Sequence, residues 1–151
     1  MANLSEEQVM LRDMAQSWTR NESPVNAWRK VRDANEAAGY DAAVYANMAE
    51  MGWTGVIIPE AHGGSDFGWM SLGLVVQEIS RTLTASPLSS SAIAASAIIL
   101  GGSEAQKAKW LPGIASGEVL PTAVFTEPDV GSDLGSLATR ARQDGSGEWV
   151  I

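Results

Sequence analysis

The residues best suited to holding another molecule are gathered in one run, Thr126-Glu127-Pro128-Asp129-Val130-Gly131-Ser132-Asp133, which follows the strand-like Ala123-Val124-Phe125. A glycine lets the backbone come close to a bulky group, and free amides and hydroxyls in a turn can satisfy the polar edge of a ligand. The same run has a plainer reading, a strand end followed by a turn. In it Pro128 and Gly131 set the backbone while Asp129, Ser132 and Asp133 hydrogen-bond locally. Transforming a ligand is harder for this chain than holding one. It contains no Cys and one His, which removes disulfide staples, thiolate zinc sites and Cys nucleophiles and leaves almost nothing for Ser/His or metal-cluster chemistry. Any chemistry is borrowed or shared.

Other residues invite a functional reading and have a structural one beside it. His62, next to Gly63-Gly64, invites the role of a general base, but a loop histidine bonded to its own loop is the favoured reading, and it is given no role. Trp18, Trp28, Trp53, Trp69 and Trp110 lie on or beside apolar patterns and are expected in the core or at domain contacts. Arg140 and Arg142 alternate along a strand-like stretch, as the solvated face of a strand does. Lys107 and Lys109 read as the polar side of a short helix.

These residues sit on 151 positions, enough for one domain or for one domain and part of the next. Apolar residues make up 45% and charged residues 19%, a globular balance that excludes disordered, collagen-like and low-complexity chains. Ten Lys and Arg against 18 Asp and Glu leave a net charge of −8, which repels phosphate backbones and anionic headgroups and argues against nucleic-acid partners. The most apolar run, Ala92 to Leu100, is far shorter than the ~20 residues of a membrane span. The acidic start is unlike a signal peptide. A cytoplasmic location is the expectation.

Helical spacing dominates as far as Glu118. Ser5 and Gln8 form a capping box, with Leu4 placed to staple against Val9, and Leu11, Met14 and Trp18 share a face. Asn21 to Pro24 ends this helix. Asp41 caps a second pattern through Val44, Met48 and Met51 that stops at Gly52. Trp53 to Pro59 reads as a buried connector or a small strand, and Glu60 to Ser65 as a loop. Met70 to Arg81 carries an apolar face at Leu74, Val75 and Ile79. Ser89 to Leu100 is small and apolar almost all round, which predicts a central, enclosed helix. Ser103 to Gln106 repeats the capping box before a short helix expected to stop at Pro112-Gly113. Past Glu118 the period becomes strand-like, at Thr122 to Thr126, at Leu137 to Arg142, and at Trp149 to Ile151 after the turn Asp144 to Gly147. Three such strands neither close a barrel nor cover a sheet, so the chain reads as mainly α: a helical domain, then the beginning of a β domain.

The run T-E-P-x-x-G-S-D at Thr126 to Asp133 closely resembles the signature of the acyl-CoA dehydrogenase family, flavoenzymes that desaturate acyl-CoA thioesters. Further phrases carry the resemblance along nearly the whole chain: Gly52-Trp53 to Ile58-Pro59-Glu60 with Gly63-Gly64, Gly102-Ser103-Glu104 with Lys107, Leu111-Pro112, and Ser116-Gly117-Glu118. It implies the family's N-terminal helical bundle over 1–118 and an incomplete start of its middle β-barrel domain over 119–151. It implies FAD held by Ala123, Phe125, Thr126, Gly131 and Ser132. Thr126 would donate to the isoalloxazine, and Ser132 would also touch the acyl-CoA substrate. Ala123 stands where the family commonly has a flavin-edge aromatic, so one contact differs.

The reaction implied takes a proton from the carbon beside the thioester carbonyl and passes a hydride from the next carbon to flavin N5, with electrons leaving to an electron-transferring flavoprotein and the parent enzyme a homotetramer. In the family the base is a glutamate of a C-terminal helical domain. Nothing in this sequence matches it, so no catalytic residue is assigned, and neither Glu78 nor Glu127 is promoted to the role. The chain alone is expected to be catalytically incomplete. For Arg140 and Arg142, facing an anionic CoA phosphate in an otherwise acidic protein is the weaker alternative to the solvated face of a strand, and they are given no site role. Two alternatives remain open at this point: a non-catalytic helical interaction module or truncated subunit, and an acyl-CoA oxidase or flavin monooxygenase of the same fold.

Overall fold

Ser5 opens the first helix as its spacing predicts: its hydroxyl accepts from the Gln8 amide while the Gln8 side chain accepts from the Ser5 amide. A computed structural model describes residues 4–35, 37–127 and 133–151. Its helices are α1 (Glu6–Glu22), α2 (Val25–Ala34), α3 (Ala42–Glu50), α4 (Gly68–Arg81), α5 (Leu88–Gly101) and α6 (Glu104–Ala115). Single 3₁₀ turns lie at Trp53–Gly55, Glu60–His62 and Leu134–Ser136. The two strands are β1 (Arg142–Gln143) and β2 (Trp149–Val150), paired antiparallel with Arg142 opposite Val150.

Each helix except α2 lays an apolar stripe on one shared core that includes Trp18, Met48, Trp53, Ile58, Leu111 and Ile114. α1 packs along α4, and the 3₁₀ turn at Trp53–Gly55 touches α3, α5 and α6, so it sits where the helices converge. Asp41 caps α3 through the amides of Ala43 and Val44. Ser103 forms the second capping box at the start of α6. Replacing Ser103 with Ala removes that box, and we expect a loss of about 1 kcal/mol, read as a lower urea midpoint with unchanged slope in equilibrium denaturation.

Several elements depart from the sequence expectation. α2 is an addition to the expected elements; it begins directly after Pro24 and ends at Asn35 in the left-handed region (φ 52°). It buries no residue fully, and Val25, Trp28 and Val31, three residues apart, form one half-buried stripe along it, the spacing of a helix face. Met14 is exposed, because the buried face of α1 is Leu11, Ala15, Trp18 and Thr19. The Trp53 to Pro59 segment is the buried connector and not a strand.

α6 runs through Pro112 to Ala115. Burial of Leu111, Ile114 and Ala115 holds the last turn together despite the missing Pro112 donor, an instance of packing overriding propensity. α5 is enclosed on one face only: Leu88, Ser91, Ala92, Ala94 and Ala95 are buried, whereas Ile93 and Leu100 are 44% and 86% exposed. No helix among the described residues is long and apolar enough to cross a membrane.

Candidate functional site

The signature segment is launched from a firmly held point at the end of α6. The buried Thr54 hydroxyl donates to the Ala115 carbonyl at 2.6 Å, tying the 3₁₀ turn to the last turn of that helix. The Gly117 amide returns to Ile114 O at 3.1 Å. Gly117 itself has φ +78°, and a Cβ there would lie 2.5 Å from Ala49 Cβ, so only glycine both turns and fits. The Val119 amide then bonds Gly113 O at 2.9 Å. Pro121 borders an open apolar groove of about 560 Å³ whose other walls include Ile98, Gly101, Gly102, Gln106 and Trp110.

From there Ala123 to Thr126 runs without regular secondary structure and makes no hydrogen bond to another described residue. Ala123 is half-buried, Phe125 is 44% exposed, and Thr126 is exposed. Gly131 and Ser132, the other two residues expected at the site, lie outside the described residues. The strand expected over Thr122 to Thr126 is therefore absent as a paired strand: its backbone has no neighbouring strand among the described residues to bond with.

Glu127 is differently placed. Its two carboxylate oxygens accept from consecutive amides, Oε2 from Ala138 N at 2.9 Å and Oε1 from Thr139 N at 2.7 Å. The Thr139 hydroxyl first, and then these amides, hold its carboxyl below the usual range. Two successive amides facing one carboxylate are incompatible with the alternation of a strand, which explains why the stretch expected from Leu137 onward pairs only at Arg142–Gln143. Downstream, Asp133 accepts from the Ser136 hydroxyl and from the Gly135 amide at 3.0 Å, and the hydroxyl and then the amide hold it below its usual range. Asp144 organises the hairpin turn through Ser146 and the Glu148 amide, as the turn residues predict.

The remaining candidates take structural places. His62 is half-buried in the second 3₁₀ turn, which packs against α6, and its amide donates to Pro59 O. Glu78 is 2% exposed on α4 with Arg81 Nε 3.1 Å from its Oε2, and nothing places it near the signature segment. Trp18 and Trp53 are core residues, Trp28 is half-buried, and Trp69 and Trp110 are exposed. Arg140 and Arg142 are solvent-exposed. Lys107 pairs with Glu104 at 2.9 Å and the Lys109 ammonium lies over the Trp110 ring. Among the described residues no three His, Cys, Asp or Glu side chains are grouped to hold a metal ion. The dual role of the Glu127 oxygens is the feature that sequence spacing does not reveal, since its partners lie 11 and 12 residues downstream.

Comparison with known proteins supplies what geometry alone leaves open. Residues 5–118 match the family model described as acyl-CoA dehydrogenase, N-terminal domain. The (2S)-methylsuccinyl-CoA dehydrogenase of Cereibacter sphaeroides is 55% identical over 106 residues, which cover 69% of this chain and 19% of that protein. Acyl-CoA dehydrogenase FadE12 of Mycobacterium tuberculosis is 36% identical over 149 residues, covering 97% of this chain and 37% of that protein. The structure of an acyl-CoA dehydrogenase complexed with FAD from Bacillus anthracis superposes with a TM-score of 0.80 at 28% identity, over 96% of this chain and 25% of that one. The chain thus spans between about a fifth and two fifths of the length of these curated relatives.

Proposed function

The chain belongs to the acyl-CoA dehydrogenase family and carries its N-terminal domain, and from that premise we propose that residues 123–132 form one wall of an FAD site serving acyl-CoA oxidation. The observation carrying this reading is that Ala123 to Thr126, a few residues past a locked helix end, is unpaired, with its backbone and the Thr126 hydroxyl bonded to no other described residue. Free polar groups on a fixed support suit the rim of a large planar cofactor. Thr126 would donate to the isoalloxazine, Ala123 and Phe125 would flank it, and Gly131 and Ser132 would continue the wall, Ser132 also meeting the acyl-CoA. FAD, when bound, supplies the two-electron acceptor.

What this chain's residues contribute is binding and orientation. Glu127 has both oxygens engaged by amides and its carboxyl held low, and Glu78 is buried beside Arg81. Neither is poised as a base, so the reading takes the proton-abstracting carboxylate from outside the described residues and the 151-residue chain is inactive by itself. An electron-transferring flavoprotein as acceptor and a homotetrameric parent belong to the same reading. Peroxide released at the full rate of turnover by the parent enzyme would replace the dehydrogenase assignment with an oxidase of this fold.

A second reading, a helical module that acts by packing, is favoured by the uncovered apolar side of α5 at Ile93 and Leu100. One titration separates the two. We expect added FAD to be bound weakly but saturably by the purified chain, seen as quenching of flavin fluorescence, and Thr126→Ala to weaken binding roughly fivefold, the worth of one hydrogen bond. Absence of saturable quenching rejects the flavin wall in favour of the packing module.

A further inference from the structure

We propose that Glu127 is the positioning residue of the exposed segment: by gripping the amides of Ala138 and Thr139 it closes the chain between 127 and 139 and fixes where Phe125 and Thr126 stand. The functional weight of this inference rests on the flavin reading above; the grip itself does not. Each carboxylate oxygen takes one amide, at 2.9 Å and 2.7 Å, and charge-assisted bonds of this kind are among the stronger ones a surface residue makes.

An idle surface glutamate would not meet two consecutive amides that far along the chain, because closing such a loop has an entropic cost that something must offset. A carboxylate acting as a proton acceptor would keep an oxygen free. None of the ion pairs among the described residues involves Glu127, so its anchor is the backbone of 138–139 together with the Thr139 hydroxyl. Asp133 lies inside the closed stretch and is occupied with Gly135 and Ser136. Thr126 is the immediate chain neighbour of the anchored residue, which leaves its hydroxyl on a support fixed from both sides: by Val119 on Gly113 at one end and by Glu127 at the other.

The sign of the pH effect follows from the lowered carboxyl. The grip is complete above the ordinary glutamate range and is lost as pH falls through the depressed folded value. The test is an amide-shift titration of the purified 151-residue chain by NMR. In the wild type the Ala138 and Thr139 amide resonances should move together with one acidic midpoint below that of ordinary glutamate.

In Glu127→Gln one amide loses its acceptor to the side-chain NH₂ and the titration of both resonances should vanish. In Glu127→Ala the Phe125 and Thr126 resonances should shift as well, while those of Trp53 and Leu111 in the helical core stay in place and report that the domain is folded. Where FAD binds, wild-type affinity should fall roughly five- to tenfold through the same midpoint and that of Glu127→Gln should not. Ala138 and Thr139 resonances that do not titrate, or Phe125 and Thr126 resonances unmoved in Glu127→Ala, overturn the proposal. Failure of the wild type to take up FAD rejects the flavin reading separately, and the amide titration still decides the grip.

Discussion

Gly64→Ala is expected to destabilise the domain by about 3–5 kcal/mol, at the upper end of single-residue effects. An ideal Cβ at this position would lie 2.0 Å from the Ile58 carbonyl oxygen, 2.5 Å from its carbon and 2.6 Å from Gly55 O. All three are backbone atoms, so no rotamer relieves the overlap. Nor is that backbone free to retreat. The Ser65, Asp66 and Phe67 amides bond Gly55 O, Ile58 O and Val56 O at 3.1, 3.0 and 2.8 Å, which folds the stretch after the second 3₁₀ turn back over the buried connector. Moving Gly64 away therefore breaks a ladder of bonds whose carbonyl groups belong to buried residues.

The comparison variant is Gly73→Ala. Gly73 lies within α4, and a methyl group added there would meet nothing inside 4 Å, so the change should stabilise by up to about 1 kcal/mol through helix propensity. Opposite shifts of the urea midpoint are the expected pair of results. Two equal and small shifts would mean that the connector does not require the close approach.

The same connector shows where the sequence is legible and where it is not. Structure dictated within a few positions can be read directly: both capping boxes, Asp41 as a cap, Gly52 past the end of α3, and the turn at Asp144 to Gly147. Each is a local match that spacing reveals. Elements decided by distant partners cannot. Pro112 has the local character of a helix stop, but the buried Leu111 and Ile114 carry α6 past it. The composition of α5 suggests enclosure because composition reports apolarity without saying which neighbours exist.

At the site, the signature residues are legible only as a motif. Periodicity points to a strand at Thr122 to Thr126, while the structure shows an open segment there, unpaired among the described residues. The partners of Glu127 are illegible for the reason that makes them informative: a carboxylate reaching amides 11 and 12 residues ahead leaves no trace in local spacing.

Trp53→Ala is expected to cost about 3–5 kcal/mol, whereas Trp53→Phe should cost only about 1 kcal/mol. Trp53 is 1% exposed and its ring meets the edge of Trp18 with centroids 5.0 Å apart and planes at 74°. Its 3₁₀ turn is shared by α3, α5 and α6, so truncation to Ala opens a void against three helices that cannot collapse independently. The two indoles differ in their polar handles. Trp18 Nε1 donates to Asn47 Oδ1, but Trp53 Nε1 is buried and has no partner among the described residues.

Phenylalanine at position 53 thus keeps most of the buried area and edge contact, loses no hydrogen bond, and removes a polar atom that is desolvated without compensation. At position 18 the corresponding change forfeits the bond to Asn47, and Trp18→Phe should be the more damaging of the two Phe variants by about 1 kcal/mol. Urea denaturation followed by far-UV circular dichroism gives the order directly. Should Trp53→Phe prove as costly as Trp53→Ala, the indole nitrogen would have to be acting at position 53, and packing alone would not account for the residue at which α3, α5 and α6 converge.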